Sequence, residues 1–154
     1  MSVISDTTAI TTLLKAEQAG LLRELFERVF VPQAVWDELK EFHQDIPGFV
    51  ELRPVSNRGQ RLPGTESLGR GEAEALLLAK ELNARLLLTD DRKARVAARR
   101  LHIPCIGLVG MVVQARQLGK ISSVHDLLDV IETKGGLYLS DAVIAEALRM
   151  ADET

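Results

Sequence analysis

The chain has 154 residues, 46% of them hydrophobic and 27% charged, which is the size of one ordinary domain with enough apolar surface to bury a core. A net charge of −3 excludes a generically basic nucleic-acid binder, although it leaves room for a local basic face. The single cysteine, Cys105, excludes an intrachain disulfide framework and any cysteine-based zinc site. With aromatics at only 4%, the core is expected to consist of Leu, Val, Ile and Ala, which favours α/β or all-α packing.

Val3-Ile4-Ser5 predicts a short strand that stops at Asp6. Ile10, Leu13 and Leu14 then recur at helical spacing, predicting a helix over 7–18, and Leu21, Leu22, Leu25 and Phe26 repeat the pattern. Val29-Phe30-Val31 predicts a second strand, ended by Pro32 at the start of a helix over 33–43 with Val35, Leu39 and Phe42 on one face. A third strand is expected within 49–55, followed by a polar loop bearing Arg58, Arg61 and Arg70, the expected mobile segment of the chain. A helix over 71–82, a buried strand at Leu86-Leu87-Leu88, a helix from Asp91 to Leu101 and a strand over 103–106 follow. Helices over 108–118, 124–132 and 141–150 complete the reading, the last two separated by Gly135-Gly136. This alternation predicts right-handed βαβ units: a three-layer α/β/α domain around a central parallel sheet.

The apolar run from Ile103 to Val113 is broken by Pro104 and falls short of the ~20 residues that span a bilayer. No targeting segment is visible, so the expected location is the cytoplasm, without a membrane partner.

Ligands of open α/β sheets collect beyond the carboxyl ends of the strands. Asp6 follows the first strand, and Asp90 and Asp91 follow the Leu86–Leu88 strand. Helix capping is the ordinary alternative for each, since Asp caps helices well. Glu72 shares a helical face with Ala75, Leu76 and Ala79, whereas the wheel turns Glu74 outward. Glu38 flanks the Val35–Leu39–Phe42 stripe, while Asp37 and Glu41 turn away. A Glu against a core demands a cation. The candidates are a distant Lys or Arg, or a hard metal, since Mg²⁺ and Mn²⁺ take oxygen ligands and need no His or Cys. His43, His102 and His125 are scattered without ligand spacing.

Five of the nine residues from Arg92 to Arg100 are basic. Ala94, Ala97, Ala98 and Leu101 form the inward face, leaving Arg92, Arg95 and Arg99 together on another. That face either positions phosphates or is an ordinary solvated surface.

Four segments in order carry a resemblance: Val3-Ile4-Ser5-Asp6-Thr7-Thr8, Val31-Pro32-Gln33-Ala34-Val35-Trp36-Asp37-Glu38-Leu39, Gly69-Arg70-Gly71-Glu72-Ala73-Glu74-Ala75 and Leu86-Leu87-Leu88-Thr89-Asp90-Asp91-Arg92. Together they resemble the PIN-domain ribonucleases, within them a VapC-like toxin branch, over nearly the whole chain. The resemblance implies a single PIN-like domain over 1–154, its last helices from about 120 being a branch-specific extension. It implies acids that bind Mg²⁺ or Mn²⁺ and cut single-stranded RNA by metal-assisted hydrolysis, leaving a 5′-phosphate and a 3′-hydroxyl. Asp6 matches the first acid, Glu38 the second, Glu72 the third and the Asp90-Asp91 pair the last, with Thr8 matching the accompanying hydroxyl. A homodimer and a small antitoxin partner are implied in the same way.

Three rivals remain. Gly69-x-Gly71 opens a helix as phosphate-binding loops do, but it follows a polar loop and lacks the third glycine. A phosphoacceptor receiver domain carries its acidic pair after the first strand, not after a later one. The strongest rival is a catalytically silent PIN-fold module for interaction or RNA binding.

Overall fold

The short apolar runs each form a strand, and their near-continuous hydrophobicity suits a parallel sheet covered on both faces. In the computed structural model, which describes residues 2–153, these are Val3–Ser5 (β1), Val29–Val31 (β2), Val50–Leu52 (β3), Leu86–Leu88 (β4) and Cys105–Ile106 (β5). All pair in parallel in the order β3-β2-β1-β4-β5, with Ile4 opposite both Phe30 and Leu87. The helices are Thr7–Lys15 (α1), Gly20–Phe26 (α2), Gln33–Phe42 (α3), Arg70–Glu81 (α4), Arg92–Arg100 (α5), Leu108–Gln117 (α6), Val124–Thr133 (α7) and Asp141–Met150 (α8). Each sequence-predicted element is present, with ends trimmed by a few residues. The first helix stops at Lys15 because Ala16 caps it and Glu17 turns to a φ of 57°.

Two apolar clusters make the three layers. One face of the sheet, with Val3, Val29, Val31, Val50 and Leu88, packs on α1, α2, α3, α6, α7 and α8. The other, with Ile4 and Leu87, packs on α4 and α5. Among the described residues no helix is long and apolar enough to cross a membrane.

Two expectations about helix faces fail. Glu74 does not turn outward: it is 6% exposed, and its carboxylate accepts hydrogen bonds from the Ala34 amide and from Nε of Arg58, both at 3.0 Å. A wheel with one stripe assumes one neighbour, whereas α4 meets β1, β4 and α5 on one side and α3 on the other. Residues from Ala73 to Ala79 are consequently all buried. Phe42 also leaves its stripe: Val35 and Leu39 are buried, but the helix ends at Phe42, which stands 69% exposed.

The strand order sets the site. The chain runs from β1 outward through β2 to β3, then returns to lay β4 on the other side of β1. Connections leave β1 and β4 toward opposite sides, which opens a crevice beyond their carboxyl ends.

Candidate active site

Asp6 and Thr89 are the first residues past β1 and β4, and strand pairing carries them together. The Asp6 amide donates to the Leu88 carbonyl at 3.2 Å. Its Oδ1 accepts from the Ala9 amide at 3.1 Å, so Asp6 does cap α1, and its Oδ2 accepts from the Thr89 hydroxyl at 2.6 Å. Asp6 is nonetheless 4% exposed and, among the described residues, has no ion-pair partner. Burial pushes its carboxyl up from an ordinary 3.8 to about 6, against the pull of the Thr89 and Ala9 hydrogen bonds, and the charges of Asp90 and Glu72 add to the rise.

Three further carboxyl groups face the same crevice. Asp90 accepts from the Leu108 amide, 3.2 Å from each oxygen. Burial raises its carboxyl, while that amide and the Arg95 guanidinium work in the opposite direction. Burial also raises Glu38, with the charge of Glu72 adding to it. The Thr7 hydroxyl opposes that rise from beside Glu38, yet its oxygen is buried and, among the described residues, closes no hydrogen bond of normal geometry. Repulsion thus links Asp90 to Asp6, Asp6 to Glu72, and Glu72 to Glu38.

Glycines make room for these groups. A Cβ on Gly71 would lie 2.6 Å from Oε1 of Glu38, and one on Gly69 2.8 Å from Oε2 of Glu72. A Cβ on Gly107 would lie 2.5 Å from Oδ1 of Asp90 and 2.9 Å from Nη1 of Arg95. Gly69-x-Gly71, which resembled a phosphate loop in sequence, here gives carboxylates space against the first turn of α4.

Asp91 follows directly on Asp90. It is the N-cap of α5, and its Oδ2 accepts from the Ala94 amide at 2.8 Å. Arg92, Arg95 and Arg99 are exposed on one side of α5, where with Asp90 they border a concavity of about 440 Å³. Arg95, not Arg92, is the arginine whose charge reaches Asp90. Thr8 is exposed on α1.

Sequence reasoning gave no role to Thr89, although a hydroxyl directly before Asp90 at a strand end was the available signal. It also missed Glu74 and Arg58, a pair that ties the 57–69 loop and the start of α3 to α4.

The donors are oxygen only, a set that suits Mg²⁺ and Mn²⁺. Among the described residues, none of Asp6, Glu38, Glu72 and Asp90 has an ion pair within 4.0 Å. Burial, mutual repulsion, the unpartnered Thr7 hydroxyl and the glycine cradles together fit a cation. No three His, Cys, Asp or Glu side chains among the described residues stand close enough to hold one unaided.

Among curated proteins, none matches this sequence significantly. A PilT N-terminus domain protein from the hyperthermophilic archaeon Sulfolobus solfataricus is similar in structure at a TM-score of 0.53 and 18% identity, covering 86% of this chain and 95% of that one. That likeness is one of fold. The family model DUF3368, a PIN domain, matches residues 2–153. PIN domains are typically nucleases that use divalent metal ions, and by this match across almost its whole length the chain belongs to the PIN-domain family.

Proposed function

We propose that the protein is a metal-dependent endoribonuclease that hydrolyses single-stranded RNA, with Mg²⁺ or Mn²⁺ as its ion. One observation carries this reading: four carboxyl groups, none ion-paired among the described residues, neighbour one another in a chain of mutual repulsion where the parallel sheet reverses, and three of them are raised by burial. Nothing in the fold requires this, since a buried unpaired acid costs stability.

Asp6, Glu38, Glu72 and Asp90 are the residues that would hold the ion, together with water ligands of the kind Mg²⁺ keeps. When bound, the ion supplies Lewis acidity to the phosphodiester and offsets the negative charge that builds on its oxygens. Thr89 and the Ala9 amide fix both oxygens of Asp6, and the Leu108 amide fixes Asp90, so neither carboxyl has to reorient. Asp91 caps α5. Arg92, Arg95 and Arg99 hold phosphates of the incoming strand, and Arg95 also steadies Asp90. Thr8 lies on the α1 side of the strand's path.

The setting we propose is that of VapC-like toxins: a cytoplasmic homodimer restrained by a small antitoxin protein. Family membership and the order of the four acidic motifs support it.

The test is to incubate the purified chain with a single-stranded oligoribonucleotide in Mg²⁺, in Mn²⁺ and in EDTA. Cleavage with either metal, abolished by EDTA and leaving a 5′-phosphate, is the expected result. The alternative of a silent RNA-binding or interaction module draws on the spacing of the acids, no three of which reach one point. RNA binding unaffected by metal, without cleavage, establishes that alternative.

A further inference from the structure

A cleft of about 530 Å³ adjoins the carboxylates on the side away from the basic helix. Glu38, Thr7 and Thr8 belong to its rim, so it is continuous with the crevice beyond β1. Farther along, Lys15 and Thr11 of α1 face Phe42 and His43 at the end of α3. His43 Nε2 lies 3.1 Å from the Thr11 hydroxyl, which ties the two helices at this point.

Backbone closes the remaining wall. At Gly135 a Cβ would run into the Ile131 carbonyl and lie 2.8 Å from Thr12 Cγ2 and 3.0 Å from Thr12 O. Gly136 has a φ of +75°. The glycine pair between α7 and α8 therefore lets main chain rest directly on α1 and leaves the cleft free of side chains on that side.

We infer that this cleft is a subsite for the nucleoside next to the scissile phosphodiester, with the base stacked on Phe42 and a flanking phosphate held by Lys15. The inference rests on the proposed ribonuclease reading. Among the described residues Phe42 is the cleft's one large apolar side chain, and the residue is left 69% exposed beside hydroxyls, imidazole and ammonium. An apolar helix face of a protein partner needs several adjacent hydrophobic anchors, whereas a base needs one ring and polar edges around it. The other large exposed hydrophobics lie outside this cleft.

The experiment uses the full chain and a fluorescent single-stranded oligoribonucleotide. Cleavage is measured for wild type, F42A, F42W and K15Q, and binding is measured by fluorescence polarisation in a D6N background with and without F42A. Because Phe42 is exposed at a helix end, its truncation leaves the fold in place, and matching thermal melts check this. F42A is expected to raise KM and weaken binding about tenfold, within the range for one base–aromatic stack. F42W restores both, K15Q flattens the salt dependence of KM, and kcat stays near wild type. Wild-type cleavage with KM and binding untouched by F42A overturns the subsite and leaves the ribonuclease reading standing. The same overturning follows if F42A instead abolishes only the binding of a protein partner. No cleavage by wild type under any metal overturns the ribonuclease reading and this subsite with it.

Discussion

The Thr89 hydroxyl donates a 2.6 Å hydrogen bond to Oδ2 of Asp6, joining the ends of β4 and β1 at the point where the sheet reverses. It also accepts from the Asp91 amide at 3.1 Å, so one side chain orients the buried acid and the start of α5. Thr89→Val keeps the shape and removes both bonds. A hydrogen bond to a charged group contributes about 1.5–3 kcal/mol, so urea denaturation at pH 7 is expected to show a loss of about 2 kcal/mol. The loss shrinks at pH 5, where Asp6 is largely protonated.

Asp6 contributes to the pH dependence of the metal-free protein. Its folded value of about 6 lies above the ordinary 3.8, so the folded state binds the proton more tightly than the unfolded state does. The resulting stabilisation is fully present below about pH 4 and is lost as pH rises through 6. The rise corresponds to roughly 3 kcal/mol at most. Asp6→Asn is expected to abolish cleavage, keep the cap on α1 and remove this slope between pH 4 and 6. Melts of wild type and variant across that range, with all metal chelated, give the comparison; parallel curves contradict it.

Glu72 and Glu74, two residues apart, separate function from stability. Glu74→Gln weakens the bond to Arg58, 45% exposed, and the bond to the Ala34 amide; the cost is about 2 kcal/mol after allowance for the solvent around Arg58. Glu72→Gln leaves the melt almost unchanged and lowers the response to metal. Denaturation and Mn²⁺ titration of both variants check the split.

Gly71→Ala reverses the usual coupling of stability and activity. Ala in a helix is about 1 kcal/mol more favourable than Gly, but here the added methyl meets Oε1 of Glu38. That carboxyl is the far end of a flexible side chain and swings aside. Thermal stability is expected to hold or rise while cleavage falls at least tenfold.

Much of this was legible in the sequence. The strands are apolar runs bounded by Pro32, Asp6 and Asp90, and the acids at their ends announce themselves by position. Glu74 was misread because a wheel sees one neighbour and α4 has two. Thr89 was silent because its partner is 83 residues away, and only strand pairing brings them together. Gly69-x-Gly71 read as a possible phosphate loop and Gly107 carried no signal, since a sequence does not display which side chain occupies the space that a missing Cβ leaves. The doubled Asp90-Asp91 was undecidable in sequence, where neither the Leu108 amide on Asp90 nor the Ala94 amide on Asp91 is visible.

That last pair gives the most direct measurement. Mn²⁺ is titrated into the purified chain and followed by the electron paramagnetic resonance of the free ion, for wild type, Asp6→Asn, Asp90→Asn and Asp91→Ser. Serine preserves the cap on α5, so the last variant is expected to bind like wild type at a cost of less than about 1 kcal/mol in stability. Asp6→Asn and Asp90→Asn are expected to lose binding by at least tenfold. Equal affinity in all four proteins, or loss in Asp91→Ser alone, contradicts a metal centre at the ends of β1 and β4.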